Sequence, residues 1–183
     1  MFPIDCLRYV RMGDVTPGNL IYLMRDSGPV VAIRVNHPKG ETGRESYPAA
    51  LVLHDSASGD PMPLTDPGCG NQHCIDWGVR STVLWQHPLS VGQPNKRVRP
   101  DPGYMLLIGK QPVMTSYYTG GRGNLLHWDV LTGELIDPGE SPYCVIAAWR
   151  MGAIARDGSF IQLARYPTDY ESDQKKLGSQ IEP

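Results

Sequence analysis

One stretch near the C-terminal end limits most strongly what this chain can fold into. It runs from Tyr143 to Tyr166, and its apolar runs, Cys144 to Met151 and Phe160 to Ala164, flank Arg156-Asp-Gly-Ser159. An Asp-Gly pair between two such runs is a strong hairpin signal, because glycine supplies the positive φ that a tight turn requires. The stretch therefore predicts an antiparallel hairpin. Its expected core residues are Val145, Ile146, Trp149, Ile154, Phe160, Ile161 and Leu163.

Glycine and proline divide the rest of the chain into short apolar segments. The 183 residues include 20 glycines and 17 prolines, well above the usual combined share. These residues punctuate segments that we predict to be strands, at 20–25, 30–35, 49–54, 79–86, 104–109, 113–118, 127–131 and 134–136. His37-Pro38 and His87-Pro88 are expected to end two of them. Segments 20–25 and 30–35 are expected to pair as an antiparallel hairpin, and Thr132-Gly133 is expected to join 127–131 and 134–136 as a compact hairpin. No convincing helical periodicity exceeds two turns. The fold class is therefore all-β, a sandwich or barrel of about nine or ten short antiparallel strands with long loops.

The length fits one domain that can bury a core without a disulfide or a metal. We expect residues 1–166 to form a single β-rich domain, with an irregular loop at 55–77 that is rich in Pro, Gly, Asp and Ser. A loop of that length is usually functional or lies at an interface. Residues 167–183 form a polar tail with almost no apolar surface, so we expect it to be ordered only by contact with its own domain or a neighbour.

The charge and the N-terminal sequence bear on location. The formal net charge is -2 and the sequence pI is about 6.2, so no global field attracts nucleic acid or an anionic membrane. The first residues lack the basic region and apolar run of a secretory signal. No apolar run approaches the roughly 20 residues that span a bilayer. We expect a cytoplasmic location, or assembly into a particle from a cytoplasmic pool.

The four cysteines are Cys6, Cys69, Cys74 and Cys144. Without a secretory signal we expect free thiols, because reducing compartments disfavour disulfides. Cys144 lies in the predicted hairpin and is expected to be buried there as a small apolar side chain. A Cys69–Cys74 disulfide is the alternative.

The densest group of potential ligands lies in residues 66–76. Cys69, His73 and Cys74 are residue types that zinc prefers. Their spacing does not match paired zinc-binding cysteines, and adjacent side chains on an extended chain point apart. We therefore expect no cofactor, with zinc at these three residues as the alternative. Three aspartates of the same loop lack the alternating spacing of a calcium site, and we expect them to be exposed turn residues. They are Asp60, Asp66 and Asp76.

No catalytic residue is predicted. The chain has neither Gly-x-Ser-x-Gly nor a phosphate-binding glycine loop. His54-Asp55 at a strand end is an acid–base candidate. The favoured explanation is that both residues close a strand and cap a turn. An enzyme remains the alternative, as a small hydrolase or a metal-dependent enzyme that uses the 54–76 loop. It requires convergence of His54, Asp55, Cys69, His73 and Cys74.

A carbohydrate- or nucleic-acid-binding module is the second alternative. It needs exposed aromatic rings beside the basic loop Lys96–Arg99. The candidate rings are those of Tyr47, Trp77, Trp85, Trp128 and Trp149. Trp85 and Trp149 lie inside predicted strands, where core positions are expected instead.

The leading interpretation is a non-enzymatic structural or interaction protein. Absent catalytic motifs, abundant turns and a polar tail favour a β-rich subunit of a larger assembly, whose partners are copies of itself or other protein subunits. A virion component, of the capsid decoration or tail type, is one example of such a subunit.

Overall fold

The computed structural model describes residues 7–26, 28–39, 45–55, 65–66, 70–80, 82–92, 103–117, 125–139, 143–155 and 157–166. These residues form thirteen strands, one short 3-10 helix and two antiparallel sheets in a sandwich-like arrangement, which confirms the all-β prediction. Nothing helical in the described residues is long and apolar enough to cross a membrane. The polar tail at 167–183 lies outside the described residues.

The first sheet comes from the first half of the chain. Its strands are β1 (Arg8–Arg11), β2 (Asn19–Arg25), β3 (Gly28–Lys39), β4 (Glu45–Asp55), β5 (Thr65–Asp66) and β6 (His73–Arg80). They lie in the order β1-β6-β2-β3-β4-β5. The predicted hairpin of β2 and β3 is confirmed, with Leu20 opposite Ile33.

The second sheet comes from the second half. Its strands are β7 (Thr82–Gly92), β8 (Met105–Ile108), β9 (Gln111–Tyr117), β10 (Leu125–Asp129), β11 (Leu135–Ile136), β12 (Tyr143–Ile154) and β13 (Phe160–Tyr166). Because β7 pairs with β12 from Tyr143 to Gly152, β8 and β13 must share the other edge of β12. β6 ends at Arg80 and β7 begins at Thr82, so the chain passes directly from one sheet to the other.

The main core lies between the two sheets. Alternate residues of β2, β3 and β4, including Leu20, Ile33 and Leu51, meet the buried side chains of the second sheet. Trp128 and Trp149 are its largest members. Trp128 Nε1 donates to Ser116 Oγ at 2.8 Å, and Trp149 Nε1 donates to the Gly103 carbonyl at 2.7 Å. Both indoles are therefore buried without an unpaired donor.

The opposite face of the first sheet carries a second buried cluster. It contains the intervening residues of the same strands, so these strands are apolar on both faces. Its members are Met12, Val15, Ile21, Leu23, Val30, Ala32, Ala50, Val52 and Cys74. Met12 lies in the 3-10 helix Met12–Asp14, which follows β1 directly. Gly13 N donates to the Gly70 carbonyl at 3.2 Å, which ties this segment to the turn before β6.

The tip of the β10–β11 hairpin fastens the second sheet to the first. Asn36 N donates to the Gly133 carbonyl at 3.0 Å, and Asn36 Nδ2 donates to Glu134 Oε1 at 2.8 Å. Gly18 N donates to the Arg34 carbonyl at 2.8 Å beside them. Gly133 has a φ of 71°, and its Cα lies close to the backbone of both Gly18 and Arg34. The hairpin tip therefore pairs with the part of β3 that lies beyond Asn19, where β2 begins.

The Tyr143–Tyr166 hairpin is confirmed, with one correction to its core and one to its cysteine. Ile146 and Trp149 are buried, and Gly158 adopts the positive φ expected of the turn. Ile154 is 49% exposed because it lies at the end of β12, next to that turn. Cys144 is only half-buried; it is the second residue of β12, between β7 and β8.

Two predicted strand ends and part of the predicted loop are wrong. β3 continues through His37-Pro38, and β7 continues through His87-Pro88. A proline interrupts a strand only where its missing N–H would bond a neighbour. Asn36 N donates to Gly133 and not to β4, so the nitrogen of Pro38, two residues further along β3, also faces away from β4. No residue of β2 lies on that side, because β2 begins at Asn19. The predicted irregular loop 55–77 gives way to β6 at His73, which pairs with β1 and β2.

Candidate interaction surface

The structure separates the predicted reactive residues of the 54–76 region. His73 and Cys74 are successive residues of β6, so His73 lies on the exposed face and Cys74 in the second cluster, 1% exposed. Cys69 lies outside the described residues. His54 and Asp55 end β4, and their side chains are outside the described part. Within that described part, no three His, Cys, Asp or Glu side chains are grouped to hold a metal ion.

Cys74 is a buried, free thiol, so the alternative of a Cys69–Cys74 disulfide is not realised. Burial, together with the negative charge of Asp76, raises the pKa of the Cys74 thiol to about 11. A thiol must be deprotonated to act as a nucleophile or a zinc ligand. The Cys74 environment therefore opposes both roles.

This burial predicts strong protection of Cys74 against alkylation. At neutral pH the raised pKa lowers the thiolate fraction about a hundredfold, and packing also blocks the reagent. We expect Cys74 to react with iodoacetamide at least about a hundredfold more slowly in the folded protein than in urea. Peptide mass spectrometry of timed samples measures this ratio, with the half-buried Cys144 as an internal comparison. Equal Cys74 rates in the folded and unfolded protein would contradict the prediction.

Asp76 lies at the centre of a polar cluster that holds β1, β6 and β2 together. The carboxylate is fully buried and accepts hydrogen bonds from Arg8, from Asn19 Nδ2 at 3.1 Å and from Gly78 N at 2.8 Å. The prediction that Asp76 is an exposed turn residue is therefore wrong. Asp66 lies in β5 with its side chain outside the described part, and Asp60 is outside the described residues. These partners explain how a buried carboxylate is accommodated.

An exposed apolar surface lies on the face of the first sheet opposite this cluster. Tyr9, Ile75, Tyr22 and Val31 are directly opposite one another across β1, β6, β2 and β3. Exposure rises along this row: Val31 is 6% exposed, Tyr22 and Ile75 are half-buried, and Tyr9 is 75% exposed. The row begins in the core between the sheets and emerges into solvent at β1.

Three further side chains enlarge this exposed area. Met24 lies on the same face of β2 as Tyr22 and is 66% exposed. The exposed His73 ring stacks on Tyr9, with centroids 5.1 Å apart and planes at 16°. Arg11 is opposite His73 and adds a cation. The surface formed by Tyr9, Arg11, Tyr22, Met24, His73 and Ile75 is called the Tyr9 face below.

The Tyr9 face adjoins an open sheet edge, because β1 is the end strand of the first sheet as described. Met12 N donates to the Gln72 carbonyl at 2.9 Å, across from β6. Main-chain groups of successive residues alternate in direction along an antiparallel ladder. Val10 and Arg8 therefore bond to β6, whereas the main-chain groups of Tyr9 and Arg11 point away from the sheet. Such an edge is a template for another strand.

A polar pocket, which shares Arg11 with the Tyr9 face, lies where the Met12–Asp14 segment meets the start of β4. Its volume is about 450 Å³, and it is open to solvent. The lining residues are Arg11, Gly13, Asp14, Tyr47, Pro48, Gly70 and Asn71. The Tyr47 ring stacks on that of His37, with centroids 4.9 Å apart. The guanidinium, carboxylate and amide around this pocket are groups that hydrogen-bond small polar molecules.

The aromatic residues considered for a sugar or base platform are mostly in the core. Trp128 and Trp149 are buried, and the half-buried Trp77 packs against the main core. The side chain of Trp85 is outside the described part of the chain, as is the loop Lys96–Arg99. Among the described residues, the exposed large aromatic side chain is that of Tyr9, which sequence reasoning did not single out.

The comparisons with known proteins identify no relative of this chain. No protein-family model matches it, and no curated protein or solved structure shows significant similarity to it.

Proposed function

We propose that this protein is a non-enzymatic interaction subunit of a larger protein assembly, and that it binds a neighbouring protein through the Tyr9 face and the β1 edge. The observation that carries the proposal is the continuation of an apolar row from the core into solvent, ending at Tyr9 with 75% exposure. A contiguous exposed apolar patch on a soluble protein is typical of a protein interface.

Two neighbouring features support the same surface. The main-chain groups of Tyr9 and Arg11 point outward, so a partner can add backbone hydrogen bonds to apolar contact. His73 and Arg11 give this apolar area a polar border, as interfaces commonly have. In its more specific form, the proposal is that the assembly is a virion and that this subunit joins it from a cytoplasmic pool.

The enzyme alternative has less support. Its candidates His73 and Cys74 diverge to opposite faces of β6, and the Cys74 thiol is held in its protonated form. Catalysis by a thiol and its base requires the two side chains to lie within hydrogen-bonding reach.

Photo-crosslinking tests the proposed interface. A benzoylphenylalanine replaces Tyr9 in one preparation and Ile154 in a matched control, since Ile154 is also exposed but lies on the second sheet. Each protein is irradiated in a lysate of the cells that naturally contain it. We expect covalent protein adducts from position 9 and none from position 154. An excess of unmodified protein should abolish the adducts, whereas an excess of the Tyr9→Arg protein should not.

The test compares the amount of crosslinked adduct formed at position 9 with that formed at position 154. Adducts from position 9 alone support the interface. Equal adducts from both positions, or none from either, would overturn it, because the Tyr9 face would then be no more interactive than an ordinary exposed side chain.

A further inference from the structure

We propose that the protein bound at the β1 edge is a second copy of this chain, which pairs β1 with β1 about a twofold axis through Val10. This inference rests on the proposed function and names the partner at the β1 edge, where the Tyr9 faces of the two copies would adjoin each other. The two first sheets would then form one continuous antiparallel sheet.

The direction of the main-chain groups restricts how two β1 strands can pair. Tyr9 and Arg11 present their N–H and C=O groups outward, so hydrogen-bonded pairs must join these residues or Leu7, which shares their direction. A twofold axis perpendicular to the sheet satisfies this rule and keeps both Tyr9 faces on the same side. Pairing Arg8 with Arg11 breaks the rule and also places two arginines opposite each other, which is unfavourable.

Registers centred on Arg8 or on Arg11 place an arginine opposite its own copy, which is also unfavourable. Two symmetric registers therefore remain, one centred on Tyr9 and one on Val10. The Tyr9 register places Tyr9 opposite its own copy and Arg11 opposite Leu7 of the second copy. The Val10 register places Tyr9 opposite Arg11 of the second copy, and repeats that pair by symmetry. The side chains of Tyr9 and Arg11 both lie on the exposed face of β1.

The side-chain chemistry favours the Val10 register. A guanidinium over a tyrosine ring is attractive, and this register makes that contact twice. One face of the Tyr9 ring is stacked on His73, and the 75% exposure of the residue leaves the ring open to a second contact. Arg8 keeps its bond to Asp76, because its side chain lies on the opposite face. Two copies of β1 paired in the Val10 register therefore have complementary side chains.

Disulfide trapping distinguishes the registers. Val10 meets its own copy as a non-hydrogen-bonded pair, whose Cα atoms are about 4.5 Å apart, within the range of a disulfide. We expect Val10→Cys to give a covalent dimer under mild oxidation, with a 10–10 bridge confirmed by peptide mapping. Tyr9→Cys is the matched control, since residues two positions out of register are too far apart. A bridge in Tyr9→Cys instead, or in neither variant, would overturn the proposal.

A side-chain swap tests the same pairing without a covalent bond. Tyr9→Arg alone places two arginines opposite each other, and we expect it to weaken dimerisation about tenfold or more. Adding Arg11→Tyr restores an arginine opposite a tyrosine, so the double variant should recover most of the dimer. Sedimentation velocity over a concentration series measures this, with circular dichroism to confirm folding. A double variant as weak as the single variant, or a wild type that is monomeric throughout, would overturn the proposal.

The two sets of experiments can fail separately. Capture of a different protein from position 9, without a 10–10 bridge, would leave the interaction function intact and remove self-pairing. Failure of position 9 to capture any protein would remove both.

Discussion

Replacing Gly133 with alanine is expected to destabilise the fold by at least about 3 kcal/mol, since the substitution combines backbone strain with lost hydrogen bonds. A Cβ at this position would lie 2.5 Å from the Arg34 carbonyl oxygen and 2.6 Å from Gly18 N. Both are backbone atoms, which cannot rotate away as a flexible side chain can. The β10–β11 hairpin would have to move off β3 and lose the bond from Asn36 N.

Gly109→Ala is the matched control for this prediction. Gly109 also has a positive φ, 62°, but a Cβ there would meet nothing within 4 Å. Its cost is therefore limited to the conformational strain, about 1 kcal/mol. Urea unfolding followed by circular dichroism gives the free energy of unfolding of both variants. Equal losses would show that the hairpin tip does not constrain the association of the two sheets.

Trp149→Ala is expected to cost about 3–5 kcal/mol, the usual range for removing a buried large aromatic side chain. Trp149 is 2% exposed and stacks near the Tyr166 ring, with centroids 6.1 Å apart. Its removal would leave a cavity at the place where β8, β12 and β13 meet. It would also take the Nε1 donor from the Gly103 carbonyl.

Trp149→Phe separates the two contributions. Phenylalanine retains most of the packing but lacks the Nε1 donor, so we expect a smaller loss of about 1–3 kcal/mol. Urea unfolding of both variants, followed by far-UV circular dichroism, measures the difference. A loss in Trp149→Ala no larger than that in Trp149→Phe would mean that the ring contributes little by packing.

Local signals in the sequence predicted the hairpins well. Asp157-Gly158 and Thr132-Gly133 each lie between apolar runs, and the structure forms antiparallel hairpins at both places. Turn chemistry acts over a few residues, so it can be read without knowing the rest of the fold. Strand lengths were underestimated because the cost of Pro38 depends on whether a neighbouring strand needs its missing N–H.

The candidate surface could not be predicted in the same way. Asp76 is buried because Arg8 and Asn19, 68 and 57 residues away, supply its hydrogen bonds. Tyr9 is exposed because the second sheet does not cover the first sheet as far as β1. Val31, at the other end of the row of residues that contains Tyr9, is buried between the sheets. Both properties depend on strand order, and strand order is set by contacts between distant segments.

The division of the chain into two sheets also affects how the chain folds while it is being synthesised. Every described strand of the first sheet ends at or before Arg80, and every described strand of the second sheet follows it. A chain emerging from the ribosome therefore completes its first sheet before Trp128 and Trp149 exist to cover Leu20, Ile33 and Leu51. Until then, this nascent chain presents both an uncovered apolar surface and the β1 edge, the combination that makes folding intermediates prone to aggregation. Chaperone dependence during translation is the expected consequence of this order of strands.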